Sequence, residues 1–213
     1  RMREISDEKP AMRSFDLTSR GFIDRGIFKS PSKAGARRAT CPDIYLYSPE
    51  GQTPARKVIL RVYGSGQAGK RTVAAQIHQQ AALCSGDQGG SESRVISFLL
   101  NGDEIQLEIL IESALEADML SALTIYAVVY RVDSRESLAS ALKLLARLQK
   151  TDNGGQARTV LVGNKCDLQR SRVVSAIEGR TLAKLYGVPF VEVSALMALH
   201  SSALWEAVLR VIK

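Results

Sequence analysis

Thr159-Val160-Leu161-Val162-Gly163-Asn164-Lys165-Cys166-Asp167 is an apolar run that breaks into a polar box. The run has the length and Val content of a buried strand, and a box at its carboxyl end stands where open α/β sheets bind ligands. Asp167 can accept two hydrogen bonds from a base that presents a ring N–H beside an exocyclic amine, which guanine does and adenine does not. Asn164 would fix the loop, and the stem of Lys165 would cover the ring face. Ser194-Ala195-Leu196 follows a second apolar run, Val188–Val193, at an interval that lets the Ala195 N–H meet the base oxygen. The base half of a guanine-nucleotide pocket is complete.

Upstream, Gly64-Ser65-Gly66-Gln67-Ala68-Gly69-Lys70 lies between a Val/Ile/Leu run, Arg56–Tyr63, and a helical pattern opening at Thr72. Strand, glycine loop and helix are the context of a phosphate-binding loop, whose backbone N–H groups cradle phosphate oxygens while the lysine reaches the terminal phosphates. The Ser or Thr that should follow the lysine to hold Mg²⁺ is Arg71. The Thr72 hydroxyl, one residue on, points about 100° away around the helix. No Asp-x-x-Gly box stands after the strand-like Ile105–Ile111, which runs on into Glu112-Ser113-Ala114-Leu115.

The remaining elements alternate. Arg94–Leu100 and Ile105–Ile111 flank Asn101-Gly102, a dipeptide that supplies the positive φ values of a tight hairpin turn. Tyr126–Val132, Thr159–Gly163 and Val188–Val193 are strands each followed by a helical pattern, so they predict parallel βα units. Ser134 caps a helix running through Gln149 with leucines at 138, 142, 145 and 148 facing the sheet, and Ser175 caps one that stops at Gly187. These stripes read as core.

The 213 residues suffice for one such domain, over 55–213, preceded by a tail, 1–54, that holds no sustained apolar periodicity and is expected to be basic and largely disordered. The net charge of +7 is concentrated there: Arg20, Arg25, Lys29, Lys33, Arg37 and Arg38 face only Asp24 between residues 20 and 38. An anionic membrane surface or an acidic partner suits such a stretch, and nucleic acid is not assigned as a ligand. Cys41, Cys84 and Cys166, odd in number and scattered, form neither a disulfide framework nor a metal site and fit a reducing, cytoplasmic setting. No run reaches the ~18 apolar residues of a membrane span. The chain opens on Arg1 and ends at Lys213 on a helical pattern, so it reads as a fragment.

Arg56–Lys213 resembles the Ras superfamily, and Leu161–Ser175 with Glu178-Gly179-Arg180 is similar to the corresponding string of its RGK group. The resemblance implies a P-loop NTPase of the small-GTPase type: a mostly parallel six-stranded sheet with helices on both faces and one antiparallel hairpin. Set without gaps against small GTPases, Ile111 stands where a metal-linked Asp belongs, Ala114 at the Gly that senses the terminal phosphate, and Leu115 at the water-positioning Gln. A shift of one residue puts Glu112 at the Asp and still leaves no Gly. Switch-threonine candidates exist only by default, at Ser91 and Ser93.

Nucleotide contacts are expected from Gly64, Ser65, Gly66, Gln67, Ala68, Gly69, Lys70, Arg71 and Thr72 at the phosphates, and from Asn164, Lys165, Asp167, Leu168, Ser194, Ala195 and Leu196 at the base. The cofactor would be GDP or GTP with Mg²⁺ weak or absent, and no catalytic or metal-ligating residue is assigned. By resemblance to the RGK group, the function is regulatory, with little hydrolysis, through partner binding: inhibition of voltage-gated calcium channels through their β subunit, by a monomer at the inner face of the plasma membrane. Arg37-Arg38-Ala39-Thr40-Cys41-Pro42 also fits a 14-3-3 site once Thr40 is phosphorylated, and Ser30-Pro31 a proline-directed site. Two other readings stay open: a working GTPase with Glu112 in a rearranged metal site, and a nucleotide-free scaffold in which Lys70 and Arg71 pair with acidic side chains.

Overall fold

The computed structural model describes residues 12–18, 21–28, 55–85, 95–112, 123–151 and 158–213. Its centre is the expected strand β3, Arg56–Gly64, numbered after two strands that the sequence reading did not expect, β1 (Met12–Thr18) and β2 (Gly21–Phe28). From β3 the chain runs through α1 (Lys70–Ser85) to β4 (Val95–Leu100) and β5 (Asp103–Ile111), then β6 (Leu123–Arg131) and α2 (Arg135–Thr151). β7 (Thr159–Asn164), α3 (Ala176–Leu185), β8 (Phe190–Glu192) and α4 (Ser201–Ile212) complete it. All six expected strands are present within a few residues of their expected ends.

The strands form one sheet in the order β2-β1-β4-β5-β3-β6-β7-β8. β5, β3, β6, β7 and β8 pair in parallel, so their carboxyl ends share one edge. β4 and β5 pair antiparallel across Asn101 (φ 53°) and Gly102 (φ 94°), the two-residue turn that the dipeptide called for. One core, with Val58, Leu60, Val62, Ile77, Phe98 and Trp205, lies under α1 and α4. A second, with Tyr130, Leu138, Leu145, Leu148 and Leu161, lies under α2 and α3 on the opposite face. Ser134 and Ser175 cap as expected: their hydroxyl oxygens accept from Ser137 N (3.2 Å) and Glu178 N (3.1 Å). α1 and α2 leave neighbouring strands onto opposite faces, the kind of switch point at which open α/β sheets bind ligands.

Two expectations need correction. The sheet has eight strands and a second hairpin, and part of the presumed tail is built into the domain: β1 and β2 pair antiparallel, and β1 joins β4 in parallel through Ser14–Leu99 and Phe15–Leu100. Phe15 is buried, stacked on Phe22 with ring centroids 5.1 Å apart and edge-on to Phe98 at 6.3 Å; Phe98 in turn meets Trp205 at 5.3 Å. Asn101 adds two bonds, its N–H to Phe15 O (2.7 Å) and its Oδ1 from Leu17 N (2.7 Å). Arg25, one of the bases of that stretch, pairs with Asp16, which lies before residue 20. Phe15 and Leu17 alternate too briefly for a periodicity test, so burial came from an aromatic ladder whose far members lie more than eighty residues away. Ser30, Thr40, Cys41, Ser91, Ser93, Ala114 and Leu115 lie outside the described residues.

Candidate functional site

The base box and the phosphate loop meet on one buried side chain. Asn164 ends β7 and is only 3% exposed. Its Nδ2 donates to Ala68 O at 2.9 Å, in the phosphate loop. Its Oδ1 accepts from Lys165 N (2.8 Å) in its own loop and from Ala195 N (3.1 Å) in the loop after β8. Three loops are therefore cross-linked by the donor and acceptor of one amide. Gly69 belongs to the same contact: at φ +87°, a Cβ there would stand 2.3 Å from Asn164 Nδ2. The glycine is required both by its backbone conformation and by the asparagine pressed against it.

The rest of the base side is stiff backbone with an exposed rim. Cys166 N donates to Val193 O at 3.1 Å, and Leu168 N to Lys165 O at 3.0 Å, closing a turn in which Lys165 has φ 66°. Ser194 is buried and its hydroxyl accepts from Met197 N (3.3 Å). Asp167 and Leu168 are exposed on one lip, and Leu196, 82% exposed, on the other. The Ala195 N–H, expected to serve a base oxygen, donates here to Asn164 Oδ1 instead. Its first duty in this structure is to the asparagine.

On the phosphate side the loop follows β3 so closely to β6 that a Cβ on Gly64 would lie 2.4 Å from Val129 O. Lys70 opens α1, and its Nζ donates to Gly64 O (2.7 Å) and Ser65 O (3.4 Å). The lysine thus folds back over its own loop at a helix N-terminus, the arrangement suited to an anion. Among the described residues its partners are carbonyl oxygens and not the acidic side chains of the scaffold reading. Arg71 is exposed on α1, and Thr72 is half-buried. A guanine nucleotide fits these residues: Asp167 and the Ser194–Leu196 loop for the base, the Gly64–Gly69 amides and Lys70 for phosphate. Mg²⁺ does not fit at Arg71, because a guanidinium carries the wrong charge and has no acceptor.

Glu112 does not offer a substitute metal ligand. Its Oε1 lies 2.9 Å from Nη1 of Arg61, a buried side chain in the middle of β3, and its Oε2 accepts from the Tyr63 hydroxyl. Glu112 N donates to Val62 O at 3.1 Å, extending the ladder by one residue. Burial, and then the bond to the Glu112 carboxylate, push the Tyr63 hydroxyl up to about 12. Both carboxylate oxygens are therefore engaged, and the rearranged-metal-site reading loses its ligand. Arg61 was visible as a lone charge inside an apolar strand, a signal that a carboxylate must stand opposite.

The sequence reading also missed the corner between β6 and α2. Ser137 Oγ lies 2.7 Å from Ser65 Oγ and accepts from Arg131 N (3.1 Å). Arg131 holds Asp133 through Nε and Nη2, while its Nη1 donates to Gln67 Oε1 at 3.1 Å. Asp133's carboxyl is held below its usual range, mainly by this bond with Arg131.

Residues 60–213 match the Ras family. The chain is 39% identical over 85 residues to the human GTP-binding protein REM 1, covering 40% of this chain and 28% of that protein. It is 35% identical over 88 residues to the GTP-binding protein GEM of Pongo abelii, covering 41% and 30%. A Ras-like protein of Laccaria bicolor is 28% identical over 146 residues, 66% of this chain and 70% of that one. The match spans less than a third of the length of the REM 1 and GEM relatives.

Proposed function

The chain belongs to the Ras family, and from that premise we propose that it is an RGK-like regulator that binds guanine nucleotide with little dependence on Mg²⁺, barely hydrolyses it, and acts by binding partners. The observation that carries the reading is the contrast around Asn164 and Arg71. Asn164 joins the phosphate loop to both base loops, while the position after Lys70 carries a cation and Glu112 is committed to Arg61 and Tyr63. Phosphoryl transfer depends on metal neutralisation and on a positioned water, so a site without these groups binds and does not turn over.

Titration calorimetry with GDP and with GTP, each with Mg²⁺ and with EDTA, tests this together with a single-turnover assay. The expected result is binding that changes little on chelation, with GTP intact after hours. Affinity that collapses in EDTA, or steady phosphate release, would sink it.

The similarity to REM 1 and GEM supports a finer proposal: a cytoplasmic inhibitor of voltage-gated calcium channels acting through the channel β subunit at the inner face of the plasma membrane. No described helix is long and apolar enough to cross a membrane, so contact with the bilayer would come from its surface. Whole-cell recording from cells expressing the channel with and without this chain tests it, and unchanged current density rejects it.

A further inference from the structure

We propose that Arg131 is a positioning residue that braces the phosphate loop through Gln67, holding that loop in its ligand-ready shape without itself touching the ligand. The inference rests on the reading of Gly64–Lys70 as a phosphate site.

Gln67 sits at φ +60°, the left-handed region that a side-chain-bearing residue enters only when its surroundings hold it there. The loop has glycines on either side, at Gly66 and Gly69, yet places a glutamine where glycine would be unstrained. The glutamine's carbonyl oxygen accepts from Arg131 Nη1, which reaches across from the end of β6, at 3.1 Å. The guanidinium cannot swing away, because Asp133 grips it through Nε and Nη2 in the bidentate fashion that fixes a planar fork. Two residues earlier in the loop, Ser65 is held by Ser137, whose hydroxyl also accepts from the Arg131 backbone. One corner of the fold therefore holds the loop at two points. The Arg131 charge is neutralised by Asp133, so its contribution to phosphate binding is shape rather than field. A lysine could keep the charge but not the forked geometry.

Four variants separate the brace from its alternatives: R131A, R131K, Q67G and R131A/Q67G, each checked by thermal melting. Release of a fluorescent GDP is timed by stopped flow, and amide exchange across Ser65–Ala68 is measured on the unliganded protein by mass spectrometry. Loss of this solvent-exposed hydrogen bond, at the modest net value usual for such bonds, should speed release about fivefold in R131A and similarly in R131K. In the Q67G background the Arg131 change should add nothing, since the bond is already gone. Loop exchange should rise in R131A and R131K in the same proportion. R131K behaving as wild type, or R131A having the same effect in both backgrounds, would overturn the brace in favour of a direct charge effect. Unchanged loop exchange in R131A would overturn it outright. Should the wild-type protein bind no GDP, the nucleotide reading fails while the exchange measurement still decides the brace.

Discussion

The two halves of the pocket share one sheet edge but are held by different means. The base half is built around a buried amide whose bonds go to backbone groups of three loops, so its functional asparagine is also a structural joint. The phosphate half shares that joint at Ala68 and is otherwise braced by Ser137 on Ser65 and Arg131 on Gln67. A residue that serves both fold and ligand is costly to replace, because three backbone groups, two of them in buried bonds, lose their partners at once. A hydroxyl after Lys70 would serve only a metal. Arg71 can replace it on an exposed helical surface with no loss of packing. The pocket can thus lose its metal chemistry while its base chemistry stays tied to the stability of the domain.

Removing the joint should have the largest effect. Asn164→Ala leaves Ala68 O, Lys165 N and Ala195 N without their partner, and at ~1–3 kcal/mol for each buried group the variant should lose roughly 4 kcal/mol of stability as well as nucleotide binding. Urea unfolding monitored by circular dichroism checks it. A loss of binding with unchanged stability would break the claim that the base half is structural.

On the phosphate side, Glu112→Ala should cost about 3 kcal/mol, because it removes a carboxylate that lies 2.9 Å from the buried Arg61 guanidinium. It should leave the Mg²⁺ response of nucleotide binding as it was, since both Glu112 oxygens already serve Arg61 and Tyr63. The same change should bring the Tyr63 hydroxyl down from about 12, as the bond to the carboxylate and its repulsion of a phenolate are removed. Burial, the larger cause, would hold it above its ordinary value. Tyrosinate absorbance in an alkaline titration reads this. A metal response that vanishes with Glu112 would restore the working-GTPase reading.

How much of this was legible beforehand follows the range of the interactions. The glycine loop, the Asn-Lys-x-Asp box, the Asn101-Gly102 turn and the Ser134 and Ser175 caps are set by neighbours within a few residues, and each lies where the sequence placed it. The docking of the β1–β2 hairpin on β4, the Arg61–Glu112–Tyr63 cluster and the Arg131–Gln67 brace depend on partners about 50 or more residues apart. No local pattern encodes these. Ala195 illustrates an intermediate case: its loop was located from spacing, but its N–H partner was decided by the side chain of Asn164, across two strands.

Asp167→Asn tests the ligand duty of the base half without its structural one, because Asp167 is exposed at the rim and the fold does not lean on its carboxylate. One lost charge-assisted pair should weaken GDP by ~1.5–3 kcal/mol. Preference should move toward xanthine nucleotides, whose ring presents an acceptor where guanine has its amine, and melting should be unchanged. A competition assay that finds the same base preference in both proteins removes the guanine assignment.

The smallest effect is expected from Arg71→Ser, which returns a metal ligand to the phosphate half. The hydroxyl would occupy the first turn of α1, one residue after Lys70, where a phosphate-loop serine meets Mg²⁺. A divalent ion held by one protein oxygen and the phosphates keeps most of its waters, and Ile111 and the engaged Glu112 add no second ligand. The gain in affinity on adding Mg²⁺ should therefore stay within about tenfold, or ~1.4 kcal/mol. Hydrolysis should stay negligible, since Leu115 still stands where the water-positioning Gln belongs. Isothermal titration of GTP into both proteins, with and without Mg²⁺, measures the difference between them. A wild-type protein that already responds to Mg²⁺ as strongly as the variant would mean that Arg71 leaves the metal position open, and the two halves of the pocket would then be equally intact.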